Sequence, residues 1–120
     1  MHGEIMENVT LDDLYFGDRD LLQFSVDFLH SEGRLTFSGA ARSVTSAAGE
    51  QSRVELSHPV LVLSGLRSFM TTPASARFEA IVLRWAFTPM PRGVVGEFLL
   101  VGDPEPVTLR FECERVQLET

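Results

Sequence analysis

Three histidines, one cysteine and an acidic run near the start are the side chains with the most chemistry to offer. A fold that gathered His30 and His58 with Asp27 or Glu55 would set a proton-transferring imidazole beside an orienting carboxylate, as hydrolytic sites do. The spacing does not favour it, because none of His2, His30 and His58 shows the close helical interval of a metal-binding pair. Ordinary surface histidines are the stronger reading, with His2 in a terminal tail. Cys113 alternates with Val107, Leu109 and Phe111 and lies between Glu112 and Glu114. Burial and flanking acids both oppose a thiolate, so Cys113 is expected in the core rather than as a nucleophile. Asp12, Asp13, Asp18 and Asp20 could offer oxygens to calcium, but their spacing is not that of an EF-hand loop. Capping of a short helix explains Asp12 and Asp13 with less effort.

Tyr15 and Trp85 raise a different chemistry, since exposed aromatic rings can stack on a carbohydrate. Trp85 alternates with Ile81, Leu83 and Phe87, which favours a core position, and Tyr15 is less determined. The glycines are dispersed and form neither a phosphate loop nor a dinucleotide fingerprint. No catalytic, cofactor-binding or metal-binding residue is therefore assigned, and no cofactor is expected.

Charge narrows the partners. Ten arginines, no lysine and seventeen acids give a formal net charge of -7 over 120 residues. Such a chain repels phosphate backbones and anionic lipid heads, so no nucleic-acid or membrane partner is expected. A lone cysteine rules out an internal disulfide and fits a reducing compartment, and no secretory leader is read at the start. A cytoplasmic location is the expectation.

The elements that must position these residues have a period of two. Leu22, Phe24, Val26 and Phe28 alternate up to His30–Gly33, where Gly33 is expected to take the turn. Spans 22–29 and 34–40 thus predict a hairpin. Residues 41–53, rich in Ala, Ser, Gly and Gln, predict a loop, with a strand fraying out near Val44 before it and another beginning at Val54–Leu56 after it, and residues 1–9 predict a flexible tail. Val60–Leu63 is apolar on both faces and predicts a central strand, as does Phe78–Phe87. Pro89 and Pro91 are expected to end the ladder, and 65–76 to be connection. Span 94–101 is the next strand, and 107–113 shows the cleanest alternation. A one-residue phase shift at Glu114–Arg115 signals either a β-bulge or a new strand. Thr10 and Asp13 resemble a capping box for a short helix over 11–16, with Leu11, Leu14 and Tyr15 on one face.

The whole predicts one all-β domain over 1–120: an antiparallel β-sandwich or flattened barrel of about seven or eight strands, with one or two short helices at most. Strand is expected to exceed about 40% of the chain, roughly twice its usual share. Leu22, Phe24, Val26, Phe28, Phe37, Val62, Ile81, Leu83, Trp85, Leu109 and Phe111 are the expected core.

Leu22–Phe37, the run Val60–Leu66 and the acidic-ended strand Leu109–Glu114 together resemble small, acidic, stand-alone bacterial β-proteins, several toxin-immunity families among them. That resemblance implies an immunity protein; the acidic chain, the sheet core and the lack of a convergent catalytic or cofactor motif point to non-enzymatic action through a protein surface. Acidic strand faces such as Glu112 and Glu114 would complement a basic protein partner, and an exposed strand edge would favour a homodimer. The competing expectation is a small-ligand-binding or enzymatic β-domain whose pocket is built from loops carrying His30, His58 and Arg92.

Overall fold

A computed structural model describes residues 5–6, 11–72, 77–103 and 105–120. Twelve strands run in chain order: β1 (Ile5–Met6), β2 (Leu14–Tyr15), β3 (Leu21–Asp27), β4 (Glu32–Phe37), β5 (Gly39–Thr45), β6 (Gln51–Ser57), β7 (Val60–Ser64), β8 (Ser68–Thr72), β9 (Arg77–Met90), β10 (Gly93–Asp103), β11 (Val107–Cys113) and β12 (Arg115–Glu119). They form three antiparallel sheets, ordered β1-β12-β7-β4-β3, β8-β11-β10-β9 and β2-β5-β6. The all-β expectation holds, but the strand number exceeds seven or eight. The expected helix over 11–16 is a single 3-10 turn, Leu11–Asp13, after which Leu14 and Tyr15 pair with Arg42 and Ala41 as a strand. No helix among the described residues is long and apolar enough to cross a membrane.

The strongest alternations land where two neighbours cover them. β11 lies between β8 and β10, and Val107, Leu109, Phe111 and Cys113 are all fully buried. β7 is the middle strand of its sheet, and Leu61, Val62 and Leu63 are buried on both faces, as a doubly apolar run requires. Opposite Phe111 stands Gly96, where any Cβ would collide with the phenyl ring, so the glycine exists to seat that ring.

Three short corners pass the chain between sheets. Ser38 separates β4 from β5, and its amide donates to the Asp20 carbonyl (2.8 Å). His58 and Pro59 separate β6 from β7, with His58 at a φ of 50°. Glu114 separates β11 from β12, and its amide donates to the Ser64 carbonyl (3.0 Å). The phase shift at Glu114–Arg115 is therefore a change of sheet and not a bulge. All three sheets contribute to one core, which includes Leu14 and Ala40, Leu35, Phe37 and Leu61, and Phe98 and Phe111. Phe16, between β2 and β3, sits inside it with its ring centroid 4.6 Å from Phe37 and 5.4 Å from Phe98. Burying one such ring stabilises by about 1.5–3 kcal/mol.

Several expectations are corrected. Residues 41–53 are not a loop: β5 and β6 pair from Gly39↔Ser57 to Thr45↔Gln51, with only the turn between them irregular. Small polar residues suffice because this sheet presents much of β6 to water. Of residues 65–76, Ser68–Thr72 form β8, paired to β11, and 73–76 lie outside the described residues. β9 runs on through Pro89, because it is an outer strand that need not donate on its free side. For the same reason it is not central. Ser31, with a φ of 50°, takes the strained position of the β3–β4 turn, while Gly33 is buried within β4 against Leu63 and Leu66. Of the expected core, Phe37, Val62, Leu109 and Phe111 are buried, and Val26, Ile81 and Trp85 are half-buried. Leu22, Phe24, Phe28 and Leu83 are exposed. Phe24 does share the inward face of its partner Leu35, but β3 is the last strand of its sheet, and on its far side Phe24 meets the Phe69 ring of β8 rather than a pairing strand. Of the expected tail, only Ile5 and Met6 are described, paired to Leu118 and Glu119; residues 1–4 and 7–9 lie outside the described residues.

Candidate functional site

The histidines do not converge. His30 lies in the turn before Glu32, which pairs with Ser64, whereas His58 adjoins Val60, which pairs with Thr36. They occupy opposite ends of the β4–β7 ladder, and both are exposed. His30 meets Asp27 locally: Nδ1 lies 2.7 Å from Oδ2, and the His30 amide donates to Oδ1 (3.2 Å). That contact raises the His30 pKa, chiefly through the side-chain hydrogen bond, and the same bond lowers that of Asp27. The His58 ring meets the neighbouring Ser57 hydroxyl at 3.0 Å, and its amide donates to the Ser38 carbonyl (3.3 Å). Glu55 is committed elsewhere, to a two-bonded pair with Arg19 at 2.6 and 3.3 Å. Arg92 stands in the β9–β10 turn, remote from both imidazoles in the chain, and its carbonyl accepts from Arg67 (2.7 Å). His2 lies outside the described residues.

Cys113 is in the core, its thiol donating weakly to the Arg115 carbonyl (3.5 Å), and burial pushes its pKa up to about 11. Such a thiol is not a nucleophile at neutral pH. Asp18 adopts a φ of 61° in the turn before β3, and no group of three metal-ligating side chains forms among the described residues. The strand face carrying Glu112 is mixed in charge: Glu112 lies 3.8 Å from Arg67, and neighbouring Arg110 pairs with Glu97 at 3.2 Å.

Two other features stand out, and neither was assembled from sequence. The first is an aromatic cleft. Tyr15 packs edge-to-face on Trp85, with centroids 4.8 Å apart, and the guanidinium groups of Arg19 and Arg53 lie 5.5 and 5.1 Å from the Tyr15 centroid. Around them opens a space of about 400 Å³, lined by Asp12, Asp13, Ser43, Arg53, Trp85 and Phe87 among others. A second space of about 300 Å³ shares Leu11, Asp12 and Phe87 with it and adds Pro89 and Val94. Tyr15 is thus not an open carbohydrate platform, because its ring already carries Trp85 and two guanidiniums.

The second feature is the outer edge of β3. Of nine large hydrophobic residues exposed among the described residues, Leu22, Phe24, Phe28 and Leu29 fall in this one stretch. Phe28 and Leu29 are 78% and 87% exposed. From Leu21 to Val26 the strand carries no charge. Phe24 reaches Phe69 of β8, another outer strand, at 5.4 Å, and exposed Met70 follows on that strand. The adjacent pair Phe28-Leu29 was a readable warning, because two successive residues of an alternating segment cannot both face one core.

The chain matches no family model, and neither a characterised protein nor a solved structure shows significant similarity to it.

Proposed function

We propose that this is a non-enzymatic protein-binding domain that receives a partner along β3. In this reading the three sheets enclose the common core as a flattened barrel, and the gap between β3 and β8 is its sticky seam. The supporting observation is the uncharged stretch Leu21–Val26 of the edge strand, followed after Asp27 by the exposed Phe28 and Leu29 of the turn. Natural edges are guarded by charges, prolines or bulges; β3 has one register irregularity, between Leu21 and Gln23, and neither charge nor proline from there to Val26, and an edge so lightly guarded is a template for another chain. Main-chain hydrogen bonds along β3 would supply affinity, and the apolar residues from Leu22 to Leu29 selectivity. The remaining surface, at a net charge of -7, keeps other contacts weak and steers basic partners. The resemblance to toxin-immunity proteins adds that the partner is a protein whose activity binding would mask.

The test is affinity capture from cells that make the protein, run in parallel with Ser25→Lys on β3 and Val54→Lys on β6. A partner retained by wild type and by Val54→Lys but lost by Ser25→Lys supports the reading. Capture that ignores the β3 charge, or no reproducible partner with either bait, refutes it. Both positions are exposed, so circular dichroism should show unchanged strand content.

A further inference from the structure

We propose that the cleft between the Leu11–Asp13 turn and β9 binds a free α-amino acid with an apolar side chain. Its charged groups are arranged but unspent. Ser43 pairs directly with Arg53 across β5 and β6, and Arg42 pairs with Leu14. A row of polar residues therefore runs from Asp13 through Ser43 to Arg53, across two strand spacings, or about 10 Å. Asp12, Asp13 and Arg53 line one space, yet no ion pair joins either carboxylate to that guanidinium.

The two arginines on Tyr15 differ in a way that identifies the open one. Arg19 is neutralised by Glu55, whereas Arg53 rests on the ring with no carboxylate partner among the described residues. A guanidinium fixed over an aromatic ring keeps its forked donors for a planar carboxylate. The ligand that answers an unpaired cation and nearby unpaired carboxylates together is a zwitterion. Its carboxylate pairs with Arg53, assisted by the Ser43 hydroxyl, and its ammonium group with Asp12 or Asp13. The adjoining space of about 300 Å³ gives the side chain an apolar wall of Leu11, Phe87, Pro89 and Val94. A cavity of about 150 Å³ already accepts benzene, so a leucine- or phenylalanine-sized group fits.

This inference stands independently of β3. It is tested by isothermal titration of the intact chain with L-phenylalanine, L-leucine, L-phenylalaninamide, N-acetyl-L-phenylalanine and glucose. Saturable binding of a free amino acid is expected, weakened roughly tenfold or more by blocking either charged end, since a charged hydrogen bond is lost. Arg53→Gln should abolish the preference for phenylalanine over its amide, and Asp12→Asn with Asp13→Asn the preference over the N-acetyl form. These cross-matched losses separate recognition from misfolding, which would abolish all binding alike. No saturable binding of either amino acid at millimolar concentration overturns the proposal. So does equal binding of phenylalanine and its blocked forms, or binding of glucose instead.

Discussion

β3 and β6 are each the outer strand of an antiparallel hairpin, and they meet water in opposite ways. β6 carries two charges within its seven residues: Glu55 grips Arg19, and Arg53 lies on the Tyr15 ring with its donors open. A strand adding to that edge would have to desolvate charges already placed. β3 offers no charge from Leu21 to Val26, and after Asp27 its turn presents Phe28 and Leu29, the most exposed large apolar residues among those described. Edge protection is thus distributed unevenly over one small domain. The less guarded edge is where another chain meets least resistance.

The largest expected effect comes from the inner strand that carries β3. Phe37→Ala removes a fully buried ring that touches Phe16 and Phe98, and should cost about 3–5 kcal/mol in urea unfolding. Val54→Ala on exposed β6 should stay within about 0.5 kcal/mol. Comparable losses at both positions would mean that β6 packs more tightly than its exposure implies.

A smaller effect follows from stripping the guard off β6. Glu55→Thr breaks the Arg19 pair, which is largely solvent-exposed on the Glu55 side, and should cost no more than about 1 kcal/mol. Combined with Arg53→Thr it leaves β6 as uncharged as the middle of β3, and concentration-dependent self-association should appear in sedimentation velocity. A double variant that sediments like wild type would show that charge is not what guards this edge.

The smallest effect is electrostatic and sits at the tip of β3. Because the folded His30 pKa is raised, its contribution is complete below the unfolded value and fades as pH rises through the folded one. Because that of Asp27 is lowered, its contribution is complete above the unfolded value and fades as pH falls through the folded one. The pair should matter most between about pH 4 and pH 6.5, the window bounded by the two unperturbed values. An NMR titration of the His30 ring should show a midpoint that falls on Asp27→Asn. An unchanged midpoint would dissolve the contact.

Alternation specifies which side a residue faces, but whether that side is covered depends on neighbours from distant parts of the chain. β3 and β11 illustrate this. Both alternate clearly, yet β11 gains β8 and β10 as partners and is sealed, while β3 gains only β4 and leaves Phe24 41% exposed. β7 was legible because apolar residues on both faces demand a central place. β8 was not, and β6 only in part, at Val54–Leu56, since Ser, Thr, Gln and single apolar residues look like connection until a partner strand satisfies their backbone. The charged cleft was beyond reach for a related reason: Tyr15, Arg53 and Trp85 meet only because the chain changes sheets, and no local spacing encodes those corners. The burial of Cys113, by contrast, followed directly from its place in the alternation of β11.

The central place of β7 has a consequence for how the protein is made. Its two neighbours are β4, already synthesised when β7 emerges, and β12, near the far end of the chain. On the ribosome the β3–β4 hairpin can dock on one side of β7 at once. The other side, with the backbone groups of Val60–Ser64 that β12 will satisfy, stays open until the last strand has cleared the exit tunnel. The nascent chain therefore carries a second open edge, apolar over Val60–Leu63 and temporary, for as long as some fifty residues take to add, several seconds at about 5–20 residues per second. Slowing translation after β7 should raise the fraction lost to aggregation.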